Sequence, residues 1–217
     1  MSFGEFIPTP NTKLLLHLNG NANDDSGNGL NCGSTGVDYS RAYGKFNEGA
    51  LFIASERDFI ESTNHGLGSG NINFSASLRF YVTGGQVRGE LFCLGNYRVT
   101  NQAIMFGVRT KSGGNNAVYF DYAVSAGGST SARVLYNSWN HLFITKSGNT
   151  IIITLNGGVP ETFTKTGLNA SASFFMGFYG NIGAAHFSGY IDEFFLENRI
   201  WTPVEIQKYY TNSLGRF

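Results

Sequence analysis

The densest group of chemically capable side chains in the sequence is the run Asn19-Gly20-Asn21-Ala22-Asn23-Asp24-Asp25-Ser26-Gly27. Side-chain oxygens gathered in one loop are what a hard cation such as calcium requires. An EF-hand is excluded, because the glycine at loop position six and the glutamate at position twelve are missing in every register. The same residue types also cap their own turns through side-chain to backbone hydrogen bonds, so a cation loop and a self-capped turn both fit.

A second chemistry is suggested by aromatic residues beside amides. Neutral sugars are held by ring stacking together with amide and hydroxyl hydrogen bonds. Asn96 with Tyr97, Tyr136 with Asn137, and Tyr179 with Asn181 meet that description, although in a chain with 11 Tyr and 19 Phe such neighbours also arise as ordinary loop packing. His17, His65, His141 and His186 form no His-x-x-His or Glu-flanked pattern and read as structural strand or surface histidines. Neither a Gly-x-Ser-x-Gly elbow nor a phosphate-binding loop occurs, since Gly44-Lys45 is followed by Phe46 and lacks the upstream glycine. Cys32 and Cys93 are too few for a disulfide scaffold, and their spacing leaves open whether they pair or stay as thiols. The sequons at Asn73 and Asn169 are what an Asn- and Ser-rich chain produces by chance.

The elements that must position these residues are short. Apolar or alternating runs recur about every dozen residues, separated by Gly, Asn, Asp and Ser clusters. In the run from Phe74 to Val82, Phe74, Ala76, Leu78, Phe80 and Val82 share one face, opposite Ser75, Ser77, Arg79 and Tyr81. Trp139 to Lys146 and Thr150 to Leu155 read as a hairpin. One helix is signalled, with Thr202 as N-cap, Pro203 at its first position and Glu205 completing a capping box. It stands at the end of the chain, so no βαβ unit is expected. Ser125 to Ser131 reads as a flexible loop by composition. The fold class is therefore all-β: a two-sheet antiparallel jelly-roll β-sandwich of about a dozen strands with one short C-terminal helix.

Charge narrows the partners. Lys+Arg and Asp+Glu are both 15 among 217 residues, so no net field draws a polyanion or an anionic membrane, and neutral ligands are favoured. No nucleic acid partner and no membrane insertion are expected, and Met1 to Lys13 has no basic start followed by an apolar run, so no signal peptide is visible. With Pro8 and Pro10 beside Phe3, Phe6 and Ile7, residues 1–13 read as an extended arm before a single domain of residues 14–217. The arm suits docking on a neighbouring subunit or packing on its own sandwich.

Several segments in order resemble the laminin-G-like branch of the concanavalin A-like lectin/glucanase superfamily. They are Leu16 to Asn28, Gly49 to Ile53, Phe74 to Val82, Trp139 to Leu142, Leu155 to Gly157, Gly189 to Leu196 and Trp201 to Ile206, so the resemblance runs from about Leu14 to Tyr210. It implies a jelly roll that often bears a structural calcium and displays adhesive or sugar-binding loops. It would place Asp25 near Asp192, with Asn19 where relatives often carry Asp, so that Ca2+ would pin the first and last strands together. Related glucanases use Glu-x-Asp-x-x-Glu on one strand, and here the position two before Asp192 is Tyr190, while alternation aims Glu193 away from Asp192. The expectation is a non-enzymatic recognition or assembly module that binds a glycan or protein surface. A phage or virus virion subunit (decoration or tail-associated) that self-assembles through its arm is one setting. A secreted carbohydrate-binding adhesin or lectin is the alternative, both extracellular; a glycoside hydrolase is the third reading.

Overall fold

The computed structural model describes residues 4–83, 88–96, 102–110, 116–122, 125–178 and 185–214. The chain opens with strands β1 (Thr12–Leu16), β2 (Gly33–Thr35) and β3 (Asp38–Ser40), then a single 3-10 turn at Arg41–Tyr43. It continues through β4 (Gly49–Phe52), β5 (Phe59–Ser62), β6 (Phe74–Val82), β7 (Arg88–Gly95), β8 (Ala103–Thr110) and β9 (Asn116–Tyr122). The last third holds β10 (Ser125–Ser129), β11 (Trp139–Ser147), β12 (Thr150–Leu155), β13 (Glu161–Thr164), β14 (Phe174–Met176), β15 (Gly189–Glu197) and helix α1 (Pro203–Leu214). All strand pairs are antiparallel apart from one isolated bridge, and the strands form two sheets. The eight-stranded sheet runs β13-β12-β11-β6-β15-β4-β3, with β1 also on β15; the seven-stranded sheet runs β10-β9-β8-β7-β14-β5-β2. The two-sheet sandwich with one C-terminal helix is the architecture the alternation pattern predicts.

The inward residues of β6 bury completely, as their alternation requires. The sheets meet through phenylalanines: Phe194 of β15 packs on Phe92 of β7 and Phe174 of β14 at ring separations of 5.1 and 5.0 Å. The capping box forms as read, with Glu205 N–H donating to Thr202 Oγ1 at 3.3 Å and Thr202 N–H donating to Glu205 Oε2 at 2.7 Å.

One segment departs from its composition. Ser125–Ser129, read as a flexible loop, pairs with β9 as an edge strand, with a bulge between Ala126 and Gly128. The reason is close packing against aromatic rings: a Cβ on Gly127 would sit 2.2 Å from Phe120, and one on Gly128 would sit 2.7 Å from Phe163. Small residues here serve contact as well as flexibility.

The eight-stranded sheet is unusual in burying part of its outer face as well. Phe143 and Phe195 project outward and are covered by Trp201 and Ile206 from the α1 region and by Phe6 from the arm. Phe6 stacks on Phe195 at 4.0 Å, so in the structure the arm lies on its own sandwich. Losing a buried phenylalanine costs about 3 kcal/mol. Phe6→Ala is expected to lower the unfolding free energy by about that amount in urea titration, whereas Ile7→Ala, at a side chain 67% exposed, is expected to change it by less than about 0.5 kcal/mol.

Candidate functional site

Next to the covered half of that outer face lies an aromatic row. Trp139 of β11, Tyr81 of β6 and Tyr190 of β15 stand directly opposite one another across three adjacent strands. Tyr43, at the end of the 3-10 turn, completes the row. Tyr43 and Tyr190 stack at 5.1 Å, Tyr190 and Tyr81 stack at 5.2 Å, and Trp139 meets Tyr81 edge-on at 5.9 Å. All four side chains are half-buried, and none of the three tyrosine hydroxyls bonds another described residue. Because the tyrosine rings stack on one another, the row turns ring edges rather than ring faces to solvent. Two glycines permit this approach: a Cβ on Gly189 would meet Tyr81 O at 2.0 Å, and one on Gly49 would meet Tyr43 O at 2.3 Å.

One step along the same strands lies a buried polar row of Arg79, His141 and Asp192. The Arg79 guanidinium sits between the rings of Phe46 and Tyr210, 5.8 Å from each, and donates to Ser213 Oγ. His141 shares a 2.6 Å hydrogen bond with Ser77 Oγ and stacks on Tyr210. Burial, then the charge of Arg79, holds its ring neutral well below the ordinary histidine range. Asp192 Oδ2 accepts from the backbone N–H groups of Lys45 and Phe46 at 2.7 and 3.0 Å, while burial pushes its carboxyl up to about 8.

Glu193 does not point away from Asp192 as strand alternation predicts. The β15 register with β6 shifts between Asp192 and Phe195, and Glu193 takes φ 56°, which turns its carboxylate onto the same outer face. There Glu193 Oε2 accepts from Phe6 N–H at 2.6 Å, and Oε1 pairs with a ring nitrogen of His17. The aromatic row and the arm are thus pinned by backbone donors to two adjacent carboxyls.

The expected metal residues are engaged in other ways. Asn19 Oδ1 accepts from Glu48 N–H at 3.0 Å, and its amide donates to Glu5 Oε1 at 2.8 Å. Asp25 is exposed, and its backbone N–H donates to Leu15 O. Its neighbour Asp24 organises the turn, accepting from Leu15 N–H and Ser26 N–H on Oδ1 and from Leu30 N–H on Oδ2. Calcium wants six to eight oxygens around one point. Asn19 Oδ1 and Asp192 Oδ2 accept from backbone N–H groups. Among the described residues, the donor atoms that converge within 4.8 Å are those of Glu5, His17 and Glu193.

Of the sugar-binding candidates, Asn137 is exposed beside the aromatic row, its backbone N–H donating to Val82 O at 2.9 Å. Tyr136 turns inward against the core. Asn96 ends β7 on the other sheet, where its backbone N–H bonds Gln102 O and Ser171 Oγ. Tyr97, Tyr179 and Asn181 lie outside the described residues. Sequence reasoning missed the row itself. Its only signal was Tyr81 on the outward positions of β6, and the other three join it through strand register.

The family model of the concanavalin A-like lectin/glucanases superfamily matches residues 55–207. No curated protein matches the sequence. Among solved structures, domain 4 of the extracellular arabinanase AbnA from Geobacillus stearothermophilus, determined in complex with arabinotriose, is 20% identical, with a TM-score of 0.72 over 91% of this chain and 97% of that one. The binding domain of Paraclostridial Mosquitocidal Protein 1 is 18% identical, with a TM-score of 0.69 over 92% of this chain and 52% of that one. The binding domain of botulinum neurotoxin serotype D is 17% identical, with a TM-score of 0.66 over 95% of this chain and 53% of that one. This chain thus spans about half the length of the two toxin fragments.

The seven-stranded sheet carries an acid pair of its own. Arg88 Nη2 donates to Glu90 Oε1 at 3.1 Å and to Asp121 Oδ2 at 2.9 Å, and Arg88 Nε donates to Tyr119 Oη. The two carboxyls share one guanidinium nitrogen, where a hydrolase would hold water or substrate between them. Glu90 is fully buried, with Oε2 unpartnered among the described residues. Burial pushes its carboxyl up to about 7, against its bonds to Tyr119 and Arg88. The folded protein therefore holds this proton over a range, from about 4.5 to about 7, in which the unfolded chain has released it. Through Glu90, stability falls as pH rises across that window. Urea titrations at pH 5 and pH 8 are expected to show the Glu90→Gln variant gaining stability relative to the parent at the higher pH, its unfolding free energy minus the parent's being larger at pH 8 than at pH 5.

Proposed function

The chain belongs to the concanavalin A-like lectin/glucanases superfamily, and from that premise we propose that it is a non-enzymatic recognition module that binds a neutral saccharide along the row Tyr43, Tyr190, Tyr81 and Trp139. The observation that carries this reading is a row of half-exposed rings, three of them with hydroxyls that bond no other described residue, on and beside the central strands of a sheet whose outer face is partly covered by helix and arm. A sugar presents C–H faces and hydroxyls together, and this row offers apolar edges and hydroxyl partners in the same alternation. Asn137 adds an amide at the Trp139 end. A net charge of zero suits an uncharged ligand.

Relatives in fold point the same way: one was solved with arabinotriose, and the others are toxin binding domains. The absence of hydrolysis is inferred from Arg88 filling the space between Glu90 and Asp121, and from Asp192 being committed to the backbone of Lys45 and Phe46. Extracellular display is the setting in which such a module works. Assembly through the arm would have to give up the stack of Phe6 on Phe195.

Tyr190 stacks on both Tyr43 and Tyr81, so it is the residue to remove. A glycan array that includes arabinotriose is expected to give at least one neutral oligosaccharide that binds without being cleaved. Tyr190→Ala is expected to weaken that binding at least tenfold, about 1.4 kcal/mol by calorimetry. A blank array, or binding untouched by Tyr190→Ala, overturns the reading.

A further inference from the structure

Glu5, His17 and Glu193 come from three separate parts of the chain: the arm, the residue after β1, and the bulge of β15. Their donor atoms nevertheless lie within 4.8 Å of one another. Glu193 is 1% exposed and the His17 side chain 17%, so the group is seated in the fold but open on one side.

Two of the three ligands are already oriented by a partner behind them, and the third, His17, is held by its bond to Glu193. Phe6 N–H occupies Glu193 Oε2 and leaves Oε1 facing the imidazole. The Asn19 amide holds Glu5 Oε1, and Glu48 N–H holds Asn19 in turn, leaving Glu5 Oε2 with no bond to a described residue. Such supporting hydrogen bonds are what fix ligand direction in metal centres.

We propose that Glu5, His17 and Glu193 bind a divalent transition-metal ion, with zinc the best match. One nitrogen and two carboxylate oxygens form a mixed donor set that hard calcium does not select, and three protein ligands with an open side leave room for water in the fourth position. With metal–ligand bonds of about 2.1 Å, tetrahedral donors stand about 3.4 Å apart. To reach that spacing the donor atoms, now spread over as much as 4.8 Å, would draw together while the hydrogen-bonded His17–Glu193 pair opens to admit the ion. The ion would cross-link the arm, the end of β1 and the centre of the sheet. This inference does not depend on the saccharide reading.

The test uses the full chain, without a histidine tag and stripped with chelator, titrated at pH 7 with zinc chloride and separately with cobalt chloride. One equivalent is expected to bind, with cobalt giving the visible absorption of a four-coordinate site and calcium binding at least a hundredfold more weakly. His17→Gln and Glu5→Gln are each expected to weaken zinc at least tenfold. Glu5→Gln, on the half-exposed arm, is expected to keep the metal-free melting temperature, which separates loss of a ligand from loss of fold. No binding, binding indifferent to both variants, or calcium competing on equal terms would each overturn the assignment.

Discussion

The left-handed backbone at Glu193 is the constraint on which the outer face depends. β15 lies near the middle of its sheet, with β6 on one side and two shorter strands on the other: β4 beside Gly189 to Ile191 and β1 beside Phe194 to Glu197. The extra residue falls between those two pairings. A non-glycine residue at positive φ costs on the order of 1 kcal/mol or more, and it persists only where its surroundings over-determine it. Here they do so through backbone N–H groups of Lys45 and Phe46 on Asp192 and of Phe6 on Glu193. Hydrogen bonds of this kind contribute on the order of 1 kcal/mol each, and three of them together offset the strain.

From that pin the rest of the face follows in order. The bonds from Lys45 and Phe46 fix the loop after the 3-10 turn, which sets Tyr43 against Tyr190. The bond from Phe6 fixes the arm, which sets the Phe6 ring on Phe195 and closes the second apolar cluster with Trp201 and Ile206. Arg79, buried between two aromatic rings and tied to Ser213, anchors the far end of α1. The two clusters are therefore joined by a strip of buried polar groups on the same three strands, in which Arg79 Nε has no hydrogen-bond partner among the described residues. A perturbation at Glu193 has to be felt at both.

Much of this fold was legible in the sequence where the determinant is local. The alternation of Phe74 to Val82, the hairpin from Trp139 to Leu155 and the Thr202 to Glu205 capping box each depend on residues within a few positions of one another. What escaped depends on register or on contact. Ser125 to Ser129 became a strand because Phe120 and Phe163 leave room only for glycine beside them. Glu193 joined Asp192 because a bulge broke the period of two on which the alternation argument rested. Within the loop at Asn19 to Gly27 the composition was legible, but the choice of Asp24 rather than its neighbour Asp25 as the turn's organiser is set by three donors, two of which lie outside the run. Tyr43, Tyr81, Trp139 and Tyr190 are scattered along the chain and become one row only through cross-strand pairing.

Placing the proposed recognition surface largely on paired strands has an energetic consequence. Loops that bind must be ordered at the moment of binding, and that loss of conformational freedom subtracts from the affinity. Tyr81, Tyr190 and Trp139 sit on strands whose backbones are hydrogen-bonded on both sides, and their rings limit one another's rotamers by stacking. The entropy cost is met during folding, where the fully buried core and the outer aromatic cluster outweigh it. A ligand that matches the row loses little to reorganisation, and one that does not match cannot induce a fit, since moving any ring displaces its neighbour. Selectivity in such a surface would come from the fixed spacing of the rings, which for Trp139, Tyr81 and Tyr190 is set by the separation of adjacent strands, about 4.7 to 4.9 Å, and for Tyr43 by the loop held on Asp192.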